Sequence, residues 1–513
     1  MLQINELTMT HKKDLHVMLE NFNLVLNAGD KAVIIGEEGN GKSTLLKWIY
    51  NPELVADYIE AQGERILGQE RLGYLAQELS EEEKEKTVQE FFSEQDSFWN
   101  QSPKELAAFA KRFRVEPDFF YREQTMGSLS GGERMKAQLL RLLLAEPTVL
   151  LLDEPSNDMD LTMLALLEQL ICEWKQIVLF ISHDETLIEH TANMVIHMEQ
   201  LRKKTKAKAT IDRLPYRRYL EERLQRQEKQ EQQALNGKRE KAIREEKLRR
   251  MEQSVAGKLN NIAKADRDAA GRLLKKKMKA VKSMEKRFER EDEDRTEMPE
   301  QEEAIFFRLG DRRSAVPAGK TVMEYTLPSL MTPEGDRVLA EQVFLRVRGP
   351  EKICIIGENG AGKTTLLRKI AAELLARTDL QAAYMPQNYE ELLALEQTPV
   401  DYLDTTGEKE ERTRIRTYLG SLKYTTEEME HPIKELSGGQ KAKVFLLKMS
   451  LSGANVLILD EPTRNFSPLS GSVIRKMLRE FPGAIISISH DRKYMEEVCD
   501  TIYELTQTGL KKK

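Results

Sequence analysis

Two stretches of this 513-residue sequence have the residue types and spacing needed to hold a polyphosphate. The first reads Gly36-Glu37-Glu38-Gly39-Asn40-Gly41-Lys42-Ser43-Thr44, and the second Gly357-Glu358-Asn359-Gly360-Ala361-Gly362-Lys363-Thr364-Thr365. Each follows a short apolar run and opens a helical pattern. Gly36, Gly39 and Gly41, like Gly357, Gly360 and Gly362, let backbone N–H groups close around phosphates at a helix N-terminus, whose dipole favours anions. Lys42 and Lys363 are placed to bridge β- and γ-phosphates, with Thr44 and Thr365 in the same phosphate-binding turns; Ser43 and Thr364 are placed to hold Mg²⁺. The chemistry is that of a Mg²⁺-nucleotide.

Other groups recur with the loops. Asp153 and Asp460 end apolar runs, where a carboxylate reaches the Mg²⁺ shell. Glu154 and Glu461 come next and have the chemistry of a general base for an attacking water. His183 and His490, each in Ser-His-Asp, follow about thirty residues later and suggest a γ-phosphate contact. Gln77 and Gln387 are candidates to hold Mg²⁺ and the water. Finally, Leu-Ser-Gly-Gly opens a helix twice, giving Ser130, Gly131 and Gly132, then Ser437, Gly438 and Gly439, each a second anion-binding helix start.

The elements that must position these groups come as a repeat. Leu129 and Leu436, Asp153 and Asp460, and His183 and His490 are all separated by 307 residues. Four motifs in one order, three in one register, make two copies of one domain, expected at 1–200 and 301–513 with a linker at 201–300. Each copy reads as α/β: residues 149–152, 178–181, 456–459 and 485–488 are unbroken apolar runs, as in strands buried on both faces of a parallel sheet.

The linker has another grammar. Residues 202–290 hold 30 Lys+Arg against 13 Asp+Glu, an excess of 17 in a chain whose net charge is −6. Such asymmetry points to a polyanion partner. Ala270, Leu274, Met278, Val281, Met284 and Phe288 make one helical stripe. Gly257 and Asn260-Asn261 are turn formers, and Asn236-Gly237 is a candidate break. An antiparallel, coiled-coil-like helical hairpin with its tip near 256–266 is expected. Lys258, Lys264, Arg267, Arg272, Lys275, Lys276, Lys277 and Lys279 are the candidate nucleic-acid contacts.

The glycine loop, Gln, Leu-Ser-Gly-Gly, strand-Asp-Glu and Ser-His-Asp, in that order and twice, resemble the nucleotide-binding domains of the ATP-binding cassette superfamily. The resemblance implies ATP and Mg²⁺ at two composite sites, each pairing one P-loop with the other cassette's Leu-Ser-Gly-Gly. Two fused cassettes with a basic helical linker resemble the ABC-F family of ribosome-binding ATPases over essentially the whole chain. That implies a partner in the 70S ribosome, entry at the tRNA exit site, and a linker reaching peptidyl-tRNA and the 23S rRNA of the peptidyl-transferase centre. Leu459-Asp460-Glu461-Pro462-Thr463-Arg464-Asn465-Phe466-Ser467-Pro468-Leu469-Ser470 looks like the members that protect ribosomes from lincosamides, streptogramin A and pleuromutilins.

Competing readings are a general translation-regulating member without a resistance role, and an ATPase component of a transporter with a separate membrane partner. No apolar stretch approaches the ~18 residues a membrane span needs. The three cysteines, Cys172, Cys354 and Cys499, are too dispersed for a disulfide framework. A cytoplasmic monomer with intramolecular cassette pairing is the expectation.

Overall fold

The computed structural model describes residues 1–157, 159–201, 206–260, 309–310, 314–332 and 337–513, with positions 276, 279, 282, 283 and 335. It divides into two compact units, Met1–Tyr216 with Glu302–Lys513, and Arg217–Gln301.

Both cassettes lie in the first unit and repeat one sheet. In the first, the strand order is Leu72–Leu75, Val149–Asp153, Ile177–Ile181, Lys31–Ile35, Met194–Leu201, Lys206–Asp212. The second runs Ala382–Met385, Val456–Asp460, Ala484–Ile488, Lys352–Ile356, Thr501–Thr506, Gly509–Lys512. The apolar runs are the central strands, and every residue of Val149–Asp153 and Val456–Asp460 is buried. The last strand of each sheet is antiparallel to its neighbour, and each cassette adds a separate antiparallel sheet. The expected parallel core is therefore the centre of a mixed architecture.

The first cassette also extends past residue 200. Strand Lys206–Asp212 pairs with Met194–Leu201, although its lysines suggest the linker. Charge is the wrong guide here; the period-2 alternation, Lys206-Ala207-Lys208-Ala209, is that of an edge strand with one face buried.

The linker's first helix, Tyr216–Asn260, is unbroken over 45 residues, roughly 68 Å at 1.5 Å per residue. It passes straight through Asn236-Gly237 and Gly257, so neither turn expectation holds there. Each helical glycine costs about 1 kcal/mol, which the neighbouring strong helix formers outweigh, with i,i+4 pairs such as Arg226–Glu222 at 3.0 Å and Arg244–Glu240 at 3.5 Å. Lys258 lies on this helix, and Lys276 and Lys279 are exposed helical residues. Lys264, Arg267, Arg272, Lys275 and Lys277 lie outside the described residues, as does the rest of the expected tip.

The cysteines are free thiols. Far apart in sequence, buried Cys354 and half-buried Cys499 nevertheless interact side chain to side chain.

Candidate nucleotide sites

Each glycine loop turns from a central strand into a helix, Lys42–Tyr50 or Lys363–Leu375. The turns need glycine. Gly41 and Gly362 cap the helices at φ 87° and 92°. A Cβ on Gly36 would lie 2.2 Å from the Met198 carbonyl oxygen. The two lysines are buried and donate to carbonyls of their own loops: Lys42 to Gly36 at 2.9 Å and Glu37 at 2.8 Å, Lys363 to Gly357 at 2.8 Å and Glu358 at 2.9 Å.

The strand ends arrive beside them. Ser43 Oγ donates to Asp153 at 2.9 Å, and the Thr364 hydroxyl bonds Asp460. Burial raises both aspartates to about 6. Thr44 bonds the Tyr58 hydroxyl, while Thr365 and Gln387 face the second loop's cleft.

The next residue in each copy is strained. Glu154 sits at φ 50° and Glu461 at φ 52°, left-handed backbone that costs a non-glycine residue on the order of 1–3 kcal/mol. Each is pinned there by its own N–H, which donates to Ile181 at 3.1 Å or Ile488 at 3.0 Å on the adjacent strand. The same strain thus recurs at the two repeat-related acids.

Their surroundings then diverge. Glu154 accepts from Asn157 at 2.6 Å and Gln77 at 3.1 Å, and lies 3.1 Å from His183 Nε2. Burial alone would raise its carboxyl; the charge and hydrogen bond of His183, with Lys42, bring it down to about 2. His183 also donates from Nδ1 to the carbonyl of Phe466 in the second cassette at 2.7 Å. Two acceptors on two ring nitrogens select imidazolium, and the His183 pKa is raised despite burial. Glu461 instead accepts the His490 backbone N–H, at 3.3 Å, with the ring nitrogen 3.9 Å away. Burial, then the neighbouring Asp460, raises it to about 8, and burial with Lys363 lowers His490 to about 4.

The cassettes face each other so that each glycine loop meets the other's Leu-Ser-Gly-Gly helix. Ser130 and Ser437 cap those helices, Gly131–Leu144 and Gly438–Leu451, with reciprocal boxes to Glu133 and Gln440. Between the second loop and the Ser130–Gly131 helix start lies a cleft of about 670 Å³. Asp460 Oδ2 and His490 Nδ1 are buried there without a hydrogen-bond partner among the described residues. Hydroxyl, carboxylate, lysine and amide groups converging on such atoms fit Mg²⁺-ATP. Where Glu37 and Glu38 of the first loop approach Ser437 and Gly439, the space is about 30 Å³. Glu38 accepts from the Gly439 N–H, and Glu37 pairs with Lys443 at 3.3 Å.

Beside the sites, carboxylates of the first cassette meet cations of the second. Arg475 reaches Glu185 at 2.6 Å, Arg492 reaches Glu168 at 2.7 Å, and Lys493 reaches Glu189 at 2.6 Å. Glu168 and Arg475 are one repeat position, 307 residues apart, and Glu185 and Arg492 are another. The first two ion pairs are thus symmetry mates.

Sequence reasoning missed Glu38, Asn157, Phe466 and Tyr74, whose hydroxyl bonds Asp153 at 3.2 Å. A signal existed for Glu38: each loop's third residue is Glu in one copy and Asn in the other.

The model of the family described as "ABC transporter" matches residues 19–157 and 340–464. The chain is 28% identical over 96% of its length to a Bacillus subtilis (strain 168) protein named "Ribosome protection protein VmlR", covering 85% of it. It is 26% identical to "Putative ATP-binding protein YdiF" of the same strain, covering 99% of this chain and 80% of that one. Among solved structures, a complex of an archaeal ribosomal stalk protein with the archaeal ribosome recycling factor aABCE1 superposes with a TM-score of 0.60, at 17% identity, over 98% of this chain and 89% of that one. At that identity the likeness is one of fold.

Proposed function

The chain belongs to the ABC transporter ATP-binding family, as an ABC-F-type tandem-cassette ATPase, and from that membership we propose that it is a cytoplasmic factor that binds the 70S ribosome and releases it on ATP hydrolysis. The observation that carries the reading is the near full-length similarity to a protein named for ribosome protection. The excess of 17 cations in residues 202–290 supplies the chemistry for an rRNA or tRNA phosphate partner.

In this reading ATP and Mg²⁺ bind two composite sites. Site one joins the loop of Lys42 and Ser43, with Gln77, Asp153, Glu154 and His183, to Ser437, Gly438 and Gly439. Site two joins the loop of Lys363 and Thr364, with Gln387, Asp460, Glu461 and His490, to Ser130, Gly131 and Gly132. Glu154 and Glu461 accept the proton of the attacking water, and the aspartates and hydroxyls hold the metal. The linker acts near the peptidyl-transferase centre, through 23S rRNA or peptidyl-tRNA, and the outcome is protection from lincosamide, streptogramin A or pleuromutilin antibiotics. Among the described residues no helix is long and apolar enough to cross a membrane.

The test is co-sedimentation of the Glu154→Gln, Glu461→Gln double variant with 70S ribosomes in ATP, at several salt concentrations. Binding should be retained, and changing Arg272, Lys275, Lys276, Lys277 and Lys279 to Ala should weaken it, lowering the salt slope by roughly 0.7–0.9 for each phosphate no longer neutralised. Absence of co-sedimentation defeats the ribosome reading. Growth of a sensitive bacterium carrying the protein across the three drug classes separates resistance from general translation regulation.

A further inference from the structure

Glu38 and Asn359 occupy the same place, two residues after the first glycine of their loops. Both face a glycine of the opposing Leu-Ser-Gly-Gly helix. A Cβ on Gly132 would lie 2.9 Å from the Asn359 amide nitrogen, and a Cβ on Gly439 would lie 3.1 Å from a Glu38 carboxylate oxygen. The geometry is shared, and the chemistry is not. Glu38 is an anion, and it takes the Gly439 N–H in the first turn of helix Gly438–Leu451. An N–H in a first helical turn, with the helix dipole behind it, is where an anionic phosphate oxygen also binds.

A second carboxylate strengthens the difference. Glu37 pairs with Lys443 on that same helix at 3.3 Å. Lys136, the repeat counterpart of Lys443, donates instead to the Arg114 carbonyl at 3.5 Å. Where Glu37 and Glu38 meet Gly439 and Lys443, the space left is about 30 Å³.

We propose that Glu38 is a specificity-determining residue that makes the two sites unequal: its carboxylate holds the Gly439 N–H in place of a terminal phosphate, so a nucleoside triphosphate at Lys42 must displace it, whereas a triphosphate at Lys363 meets a neutral amide. Site one is then the weaker ATP site, and the penalty falls on the γ-phosphate. ADP lacks the group that competes with Glu38 and is discriminated less. The inference rests on the assignment of both loops to nucleotide.

The experiment is calorimetric titration of Mg²⁺-ATP and Mg²⁺-ADP into the full chain carrying Glu154→Gln and Glu461→Gln, which suppresses turnover. Two ATP dissociation constants at least tenfold apart are expected. Lys42→Ala should remove the weaker and Lys363→Ala the tighter. Adding Glu38→Asn should tighten the weaker site about tenfold toward the other and move ADP less than threefold; Glu38→Gln, which keeps the side-chain length, should act in the same direction. Asn359→Glu should weaken the tighter site. Two equal sites in the parent overturn the proposal, and so does a weaker site that Glu38→Asn and Glu38→Gln leave unchanged or loosen further. Loss of ATP binding at neither site upon Lys42→Ala or Lys363→Ala would instead remove the nucleotide assignment itself.

Discussion

His183 of the first cassette is held by the second: its Nδ1 donates to the Phe466 carbonyl at 2.7 Å while its Nε2 lies 3.1 Å from Glu154. Phe466 is five residues beyond Glu461, so the segment leaving one site's glutamate anchors the other site's histidine. His183→Ala removes a buried cation from beside Glu154. Removing one partner of a buried pair costs about 3–5 kcal/mol, and a loss of that order is expected in denaturant unfolding. His490→Ala, which breaks no comparable pair, should lose much less. Equal losses would mean the two histidines are not differently engaged.

Replacing the two repeat-related glutamates should move stability in opposite directions. Glu154 is held down to about 2 in the fold, so its ionised form stabilises the protein above the ordinary carboxylate range near 4.3, and that contribution is lost only as pH falls toward 2. Glu154→Gln is therefore destabilising at neutral pH. Glu461 is raised to about 8. As pH climbs from about 4.3 to 8 the unfolded chain ionises this group freely while the fold resists, so stability falls through that window and levels above it. Glu461→Gln escapes that loss, and its advantage over the parent should grow from pH 5 to pH 8. Thermal melts at several pH values, without nucleotide or Mg²⁺, read both signs.

Catalysis gives a different pattern. With both glutamates changed to Gln, ATP binding should survive and turnover should fall by roughly 10²–10⁴-fold, the usual size of a lost general base. Steady-state phosphate release measures it; turnover within twofold of the parent would exclude both carboxylates from proton transfer.

The chemistry-bearing groups were legible because phosphate loops, caps and strand-end acids are local patterns, and because the repeat printed each one twice. The inequality of the sites was not legible from the acids, since Glu154 and Glu461 have the same immediate neighbours, Asp and Pro. At the acids it comes from Asn157 against Arg464, positions matched at the 307-residue offset, and from a contact across the cassettes, His183 to the Phe466 carbonyl, that no local pattern reports. The linker helix erred the other way. Asn236-Gly237 is a genuine local breaker, overruled by the helix formers around it.

The Arg475–Glu185 pair offers a test of buried charge at the cassette boundary. Both side chains are nearly inaccessible, at 3% and 6% exposure. Arg475→Met alone takes the guanidinium from buried Glu185, which keeps Lys493 at 3.1 Å, and should destabilise by up to about 3 kcal/mol. Adding Glu185→Leu should recover a large part of that, because an apolar pair of similar volume replaces a desolvated one. Chemical denaturation of parent, single and double variants gives the coupling; strict additivity would show that the pair acts separately.

A duplicated domain starts life with two identical faces, and identical faces mate as readily with a neighbouring molecule as with their own sibling. Here the inheritance has been split by sign. At both symmetry-related positions the first cassette carries a carboxylate, Glu168 and Glu185, and the second a guanidinium, Arg475 and Arg492. Two first halves brought together would set acid against acid, and two second halves cation against cation, each a like-charge mismatch costing several kcal/mol. The faithful match is a first half with a second half, and one polypeptide carries both.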